Sequence, residues 1–574
     1  MNNQSGRWLH NLVLSLIVVF SFACSPYATR EEGGESNRPV DRTEPGEPSP
    51  RIAQEEQART EGDYSPDIAR DTDRRRNQNL VTGVADAQST GGVAGVDDEI
   101  IHNTEAYDHL PENQFFEVAQ QPLSTFSADV DTASYSIVRR FLNNGSLPPA
   151  GAVRIEEMIN YFNYSYSPPA DGKPFAVHTE LAECPWNPEH KLLHVGIQGR
   201  VIDAEQMPPR NLVFLLDVSG SMNSSNKLPL LKRGMRMLVE QLNANDRVAI
   251  VVYAGASGLV LPPTSGNDQQ RILEAMDKLQ AGGSTNGGAG IELAYRTARE
   301  NFHPQGINRV ILATDGDFNV GTTNQSDQVE MIERERESGV FLTVLGFGSG
   351  NLKDSTMEKL ADQGNGNYAY IDNVSEARKV LVTEAGSTLV AIAKDVKLQI
   401  EFNPNRVSGY RLIGYENRVM RNEDFNDDTK DAGEIGAGHS VTALYEIVPV
   451  GAKVNSGDVD ALRYQQERET TDAAAGNEVA LVKIRYKHPD GDTSQLLSYP
   501  VLDSQTDITQ ASDNFRFSAA VAAYGMLLRD SEHSGTATFE MVKDLARGAL
   551  ENDPGGYRAE FLRLTSMAAD LKSE

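Results

Sequence analysis

Between residues 211 and 371, short apolar runs alternate with amphipathic segments of helical period. The first run, Leu212, Val213, Phe214 and Leu215, reaches Asp217 with no alternation of polar and apolar side chains. DRVAIVVYAG, NRVILATDG and VFLTVLGFG share that character, which belongs to parallel strands covered on both faces. NYAYID is short and reads as an edge strand. Between the runs, Leu228, Leu231, Met235, Leu238 and Leu242 recur at steps of three and four, with Pro229 tolerated in the first turn. QQRILEAMDKL, AGIELAYRTAREN, QVEMIERERES and STMEKLADQ repeat the helical pattern. Such alternation predicts an α/β domain, an open and mostly parallel doubly wound sheet whose ligand site lies at the carboxyl ends of its strands.

At 574 residues the chain exceeds one core, and its flanks have a different rhythm. Residues 101–207 read as an α+β unit. A helix starts at Asp131, which can cap it, and carries Tyr135, Val138, Phe141 and Leu142; a second, at 153–161, carries Ile155, Met158 and Phe162. Strands follow in FAVHTELAEC and KLLHVGIQG, and the aromatic cluster YFNYSY reads as core. The α/β unit spans 208–386. Residues 387–504 are β-rich and sandwich-like, with strands in VKLQIEFNP, VTALYEIVPV, EVALVKIRYKHP and SQLLSYPV, and 505–574 are helical. The α/β unit therefore reads as an insertion between two flanks that pack as one body.

Asp and Glu outnumber Lys and Arg by 82 to 53, and the net charge of -29 disfavours nucleic acid as a partner. Two cysteines, Cys24 and Cys184, provide neither a disulfide framework nor a thiolate zinc cluster. Arg7, the apolar run 12–22 and SFAC at 21–24 form an export address. That segment resembles a bacterial lipoprotein signal, although Ser21 stands where the family favours leucine. The resemblance implies cleavage before Cys24 and a lipid on its thiol, hence an envelope protein anchored to a membrane, the outer one favoured. An ordinary secretory signal and an uncleaved anchor are the alternatives. Residues 25–100 have few large apolar side chains and read as a disordered tether. Cys184, in AECPW, reads as a small buried apolar residue.

Three loops of the α/β unit carry the chemistry. Asp217, Ser219 and Ser221 follow the first strand; Thr285 lies among glycines in AGGSTNGG; Asp315 ends the run ILATD. Five hard oxygen side chains at one sheet edge suit Mg²⁺ or a similar divalent ion (Mn²⁺ or Ca²⁺), and the lack of thiolate or imidazole argues against zinc. Helix capping and turn formation are the alternative for any one of these loops taken alone.

D-x-S-x-S at 217–221, a threonine at 285 and Asp315 in T-D-G resemble, in order, the metal-ion-dependent adhesion site of von Willebrand factor type A domains. The resemblance covers about residues 210–385. The flanks look like those of a bacterial family of envelope proteins with a central type A domain. It implies Mg²⁺ held directly by Ser219, Ser221 and often Thr285, with Asp217 and Asp315 acting directly or through water. A protein partner's Asp or Glu would complete the coordination. The expected function is thus non-enzymatic, metal-dependent protein binding. The rivals are a hydrolase using the ion as Lewis acid, which lacks a recognisable base or nucleophile, an assembly or chaperone-adaptor subunit of an ATPase, and a purely structural lipoprotein.

Other motifs fail on chemistry. EHKLLH has Lys191 where a zincin needs glutamate. DFNDDTKDAGE lacks the glycine and the final glutamate of an EF-hand. GFGSG at 346–350 lacks the last glycine of a dinucleotide fingerprint. Asp317 and Asn319 read as loop caps.

Overall fold

The computed structural model describes residues 104–573 except 110, 129–130, 171, 284–286, 317–324, 386–388, 456–468, 505 and 552. The export address, Cys24, the tether, Thr285, Asp317 and Asn319 lie outside the described residues. Among the described residues no helix is long and apolar enough to cross a membrane.

The N-terminal flank comprises β1 (Phe116–Glu117), β2 (Leu123–Ser127), α1 (Ala133–Asn143), α2 (Ile155–Asn160), β3 (Phe175–Cys184) and β4 (Asn187–Gly199). The central unit follows as β5 (Arg210–Asp217), α3 (Leu228–Val239), β6 (Arg247–Tyr253), β7 (Ser257–Ser265), α4 (Gln269–Asp277), α5 (Gly288–Glu300), β8 (Ile307–Thr314), α6 (Gln325–Glu337), β9 (Phe341–Phe347), α7 (Asp354–Gln363), β10 (Tyr368–Ile371) and α8 (Val374–Arg378). The C-terminal flank holds β11 (Ala391–Phe402), β12 (Val407–Ile413), β13 (Val419–Met420), β14 (Ile435–Gly436), β15 (Ser440–Pro449), β16 (Glu478–Lys487) and β17 (Ser494–Leu502). Three helices close it: α9 (Asp513–Arg529), α10 (Phe539–Arg547) and α11 (Tyr557–Ser573).

The central sheet runs β10-β9-β8-β5-β6-β7, parallel throughout except for the antiparallel edge strand β7. Successive residues of β5 alternate between two cores. Leu212, Phe214 and Leu216 pack with Leu231, Met235 and Leu238 of α3, while Val213 and Leu215 pack with Ile291, Ala294 and Ala298 of α5. Both faces are covered, so every side chain of this strand is buried and the apolar run has no break. Sequence period did not reveal β7, because SGLVLPPTS carries two prolines and a register break.

The flanks share their sheets. One is ordered β1-β12-β15-β4-β3 and the other β13-β2-β11-β16-β17, so each contains strands from both ends of the chain. The helices α1 and α2 pack with α9, α10 and α11 in a further core built around Tyr135, Tyr161, Phe162, Phe517 and Phe561. Helix α1 differs from expectation at its start. Thr132 occupies the cap position, while the buried Asp131 carboxylate accepts the Tyr368 N–H at 2.7 Å and pairs with Arg418 at 3.1 Å. A tertiary demand thus takes the side chain that local propensity assigns to the helix end.

Candidate metal centre

Strand β5 delivers Asp217 to the carboxyl edge of the sheet, fully buried. Its Oδ1 accepts the Ser219 N–H at 2.8 Å, which curls the chain into a tight turn after the strand. Its Oδ2 accepts the Tyr253 hydroxyl at 3.2 Å and the Thr314 hydroxyl at 3.3 Å. The turn brings the Ser219 and Ser221 hydroxyls within 2.9 Å of each other.

The glycine-rich segment before Thr285 is tied to this turn. Gly282 N–H donates to the Val218 carbonyl at 2.8 Å, and Gly220 N–H donates to the Gly283 carbonyl at 3.0 Å. Gly283 has φ +85°, a conformation that explains the glycine at that point. Thr285 itself lies outside the described residues, two positions further on.

Asp315 follows β8 and is also fully buried. Its carboxylate hydrogen-bonds the Ser221 side chain and lies close enough to Asp217 for their charges to repel. Four of the five expected ligands, Asp217, Ser219, Ser221 and Asp315, are therefore brought together.

Sequence reasoning missed Lys227. This residue precedes α3 and is buried, its Nζ donating to Asp315 Oδ2 at 2.8 Å and to Asn351 Oδ1 at 3.1 Å. Its aliphatic stem lies over Gly348, at φ +78°, where a Cβ would collide with the lysine chain. A lysine at the start of an amphipathic helix looks solvated in sequence, and only the glycine at the facing strand exit hints otherwise. Tyr253 and Thr314, which hold Asp217, were missed too.

The two carboxylates feel opposite surroundings. Burial pushes Asp217 up to about 6, and the charge of Asp315 adds to the rise against the hydrogen bonds from Ser219 and Tyr253. Burial also acts on Asp315, but the hydrogen bond and charge of Lys227, with Ser221 and Asn351, hold it below the ordinary carboxylate value. The donor set of two carboxylates and two hydroxyls fits a hard divalent ion, and Lys227 already presents a cation to Asp315.

The other polar groupings have structural partners. Asp131, Glu157 and Glu358 lie together, but Arg418 pairs with Asp131 and Glu358, and Arg154 pairs with Glu157. His190 and His194 lie on β4, where His190 meets Glu446 and His194 meets the Tyr166 hydroxyl. In the acidic loop, Asp424 pairs with Arg421 and Asp428 with Arg485. Cys184 is buried, and burial raises its thiol well above the usual range.

Three family models match the chain. "Von Willebrand factor type A domain" covers residues 212–317, "von Willebrand factor" covers 101–194, and "Uncharacterized protein YfbK, C-terminal" covers 387–571. "Uncharacterized protein YfbK" of Escherichia coli (strain K12) is 47% identical over 472 residues, 81% of each chain. The chain belongs to the YfbK family. Within this family member, the type A match takes in Asp217, Ser219, Ser221 and Asp315, and the C-terminal match begins before β11 and reaches into α11. The human inter-alpha-trypsin inhibitor heavy chain H4 is 30% identical over 181 residues, 30% of this chain and 18% of that protein. Among solved structures, a von Willebrand factor type A protein from Catenulispora acidiphila is 15% identical, with a TM-score of 0.36, and covers 79% of this chain and 91% of its own. The BatB protein of Bacteroides thetaiotaomicron is 24% identical, with a TM-score of 0.26, and covers 30% and 96%.

Proposed function

We propose that this member of the YfbK family binds a divalent ion, Mg²⁺ by the chemistry of its donors, and uses the loaded centre to hold a protein partner through an Asp or Glu side chain. The observation that carries the reading is the meeting of Asp315 with Ser221 and Asp217, residues from two loops far apart in sequence. Ser219 and Ser221 are the neutral ligands, and Thr285 is a third on the strength of the motif and of the anchored 282–283 segment. The ion supplies an electrophilic position open to a carboxylate. Asp217 is positioned by Tyr253 and Thr314, so the chain fixes its ligand geometry before the ion arrives. This reading assigns the centre to binding and asks no turnover of it.

The test is calorimetric titration of Mg²⁺ into the full chain and into Asp217→Ala and Ser219→Ala. Affinity should fall at least tenfold in the aspartate variant and measurably in the serine variant. Equal affinity in all three proteins would falsify the assignment.

A further inference from the structure

Lys227 is in an unusual place for a lysine. A flexible ammonium normally stays in water, since desolvating it is costly unless it is paired. Here it is buried, pinned between Asp315 and Asn351, with its stem confined over Gly348. It cannot leave for solvent without vacating that channel. The charge is therefore a fixed part of the centre.

We propose that Lys227 sets the charge of the metal centre, loosening its hold on the divalent ion while strengthening the loaded centre's attraction for an anionic partner. This rests on the metal-binding reading above. Asp217 and Asp315 bring two negative charges and Lys227 returns one positive charge. With a divalent ion in place the centre is left with a net positive charge. A partner carboxylate then neutralises it. Without Lys227 the loaded centre is already neutral, and the same carboxylate would make it an anion. Lys227 thus acts on the two binding steps with opposite sign: it repels the ion and favours the partner. A purely structural lysine has no reason to produce that opposition.

The experiment uses the full chain, its Lys227→Met, Lys227→Gln and Lys227→Arg variants, and Mn²⁺ followed by water proton relaxation. Acetate serves as the carboxylate probe, displacing Mn²⁺-bound water. Thermal melting in EDTA selects whichever neutral variant is folded. That variant should bind Mn²⁺ at least tenfold tighter than the native chain and require several-fold more acetate for half-displacement. Lys227→Arg, which keeps the charge, should stay near native in both readings. Mn²⁺ affinity unchanged or weakened in a folded neutral variant, beside a native chain that binds the ion, overturns the role given to Lys227 alone. A native chain that binds no Mn²⁺ overturns the metal reading and this proposal together.

Discussion

Glu156 offers the clearest case of a buried charge left uncompensated. It sits in α2, 2% exposed, and neither of its carboxylate oxygens has a hydrogen-bond partner of good geometry. Burial, then the charges of Glu416 and Glu157, push it up to about 7 from the usual 4.5. A carboxyl group with a raised folded value supports the fold only while protonated. Its contribution is complete below about pH 4.5 and is lost as pH rises through 7. Glu156→Gln, which mimics the protonated form, should therefore leave the melting temperature almost unchanged at pH 4.5 and raise it at pH 8. The gain in stability should be on the order of 3 kcal/mol. Denaturant melts of both proteins across that range measure it, and a parallel pH dependence in the two would refute the assignment. At this scale the sequence was legible in the meeting of Asp217, Ser219, Ser221 and Asp315 at one sheet edge. It was silent where partners come from elsewhere. Lys227 at a helix start and Asp131 beside one both look local, yet each answers to a group on another element.

Elements place the centre more than single residues do. Strands β5 and β8 lie side by side and in register, Leu216 opposite Ala313, so their exits deliver Asp217 and Asp315 to the same edge. The exit of β8 then turns through Gly316 at φ +107°, where a Cβ would lie 2.6 Å from the Asn351 carbonyl oxygen and 2.7 Å from the Lys353 nitrogen. Gly316→Ala should cost on the order of 1–3 kcal/mol through backbone strain and push the β8 exit away from the loop after β9. Mg²⁺ affinity should fall with it, since Asp315 is the adjoining residue. Calorimetry and denaturant melts on this one variant test both effects, and native-like values in both would count against the crowding described. The parallel strands were legible because continuous apolar runs signal burial on two faces. The edge strand β7 and the strand β12 were not. Prolines interrupt the first, and VSGYRLI mixes polar, small and apolar residues that take their burial from the β1 and β15 neighbours.

For the whole molecule, the inserted central unit is fastened to the flanks by buried charge as well as by apolar contact. Arg139 of α1 is 2% exposed and pairs with Asp372 beyond β10, with Glu376 of α8 at 2.8 Å and with Glu560 of α11 at 3.1 Å. One side chain thus joins the N-terminal flank, the type A unit and the last helix. Arg139→Met leaves the buried Asp372 and Glu376 carboxylates without this cation and should destabilise by about 3–5 kcal/mol. Because an apolar core runs from Leu212 through Ile392 to Tyr445, the loss should appear as a shift of one calorimetric transition; a separate early peak from a single unit would contradict that coupling. That the flanks pack together could be expected from an α/β pattern between two β-rich stretches. The interleaving of their strands in shared sheets could not, since pairing partners this distant leave no periodicity in the chain. The interleaving also governs when the protein can fold. Ser127 of β2 faces Lys397, and Val195 of β4 faces Ala443, so β2 and the edge of β4 away from β3 wait unpaired until well over half of the polypeptide has been made. Completion of the two flank sheets is therefore a late event, and a product of premature termination keeps naked, aggregation-prone strand edges that only the missing carboxyl-terminal strands can cover.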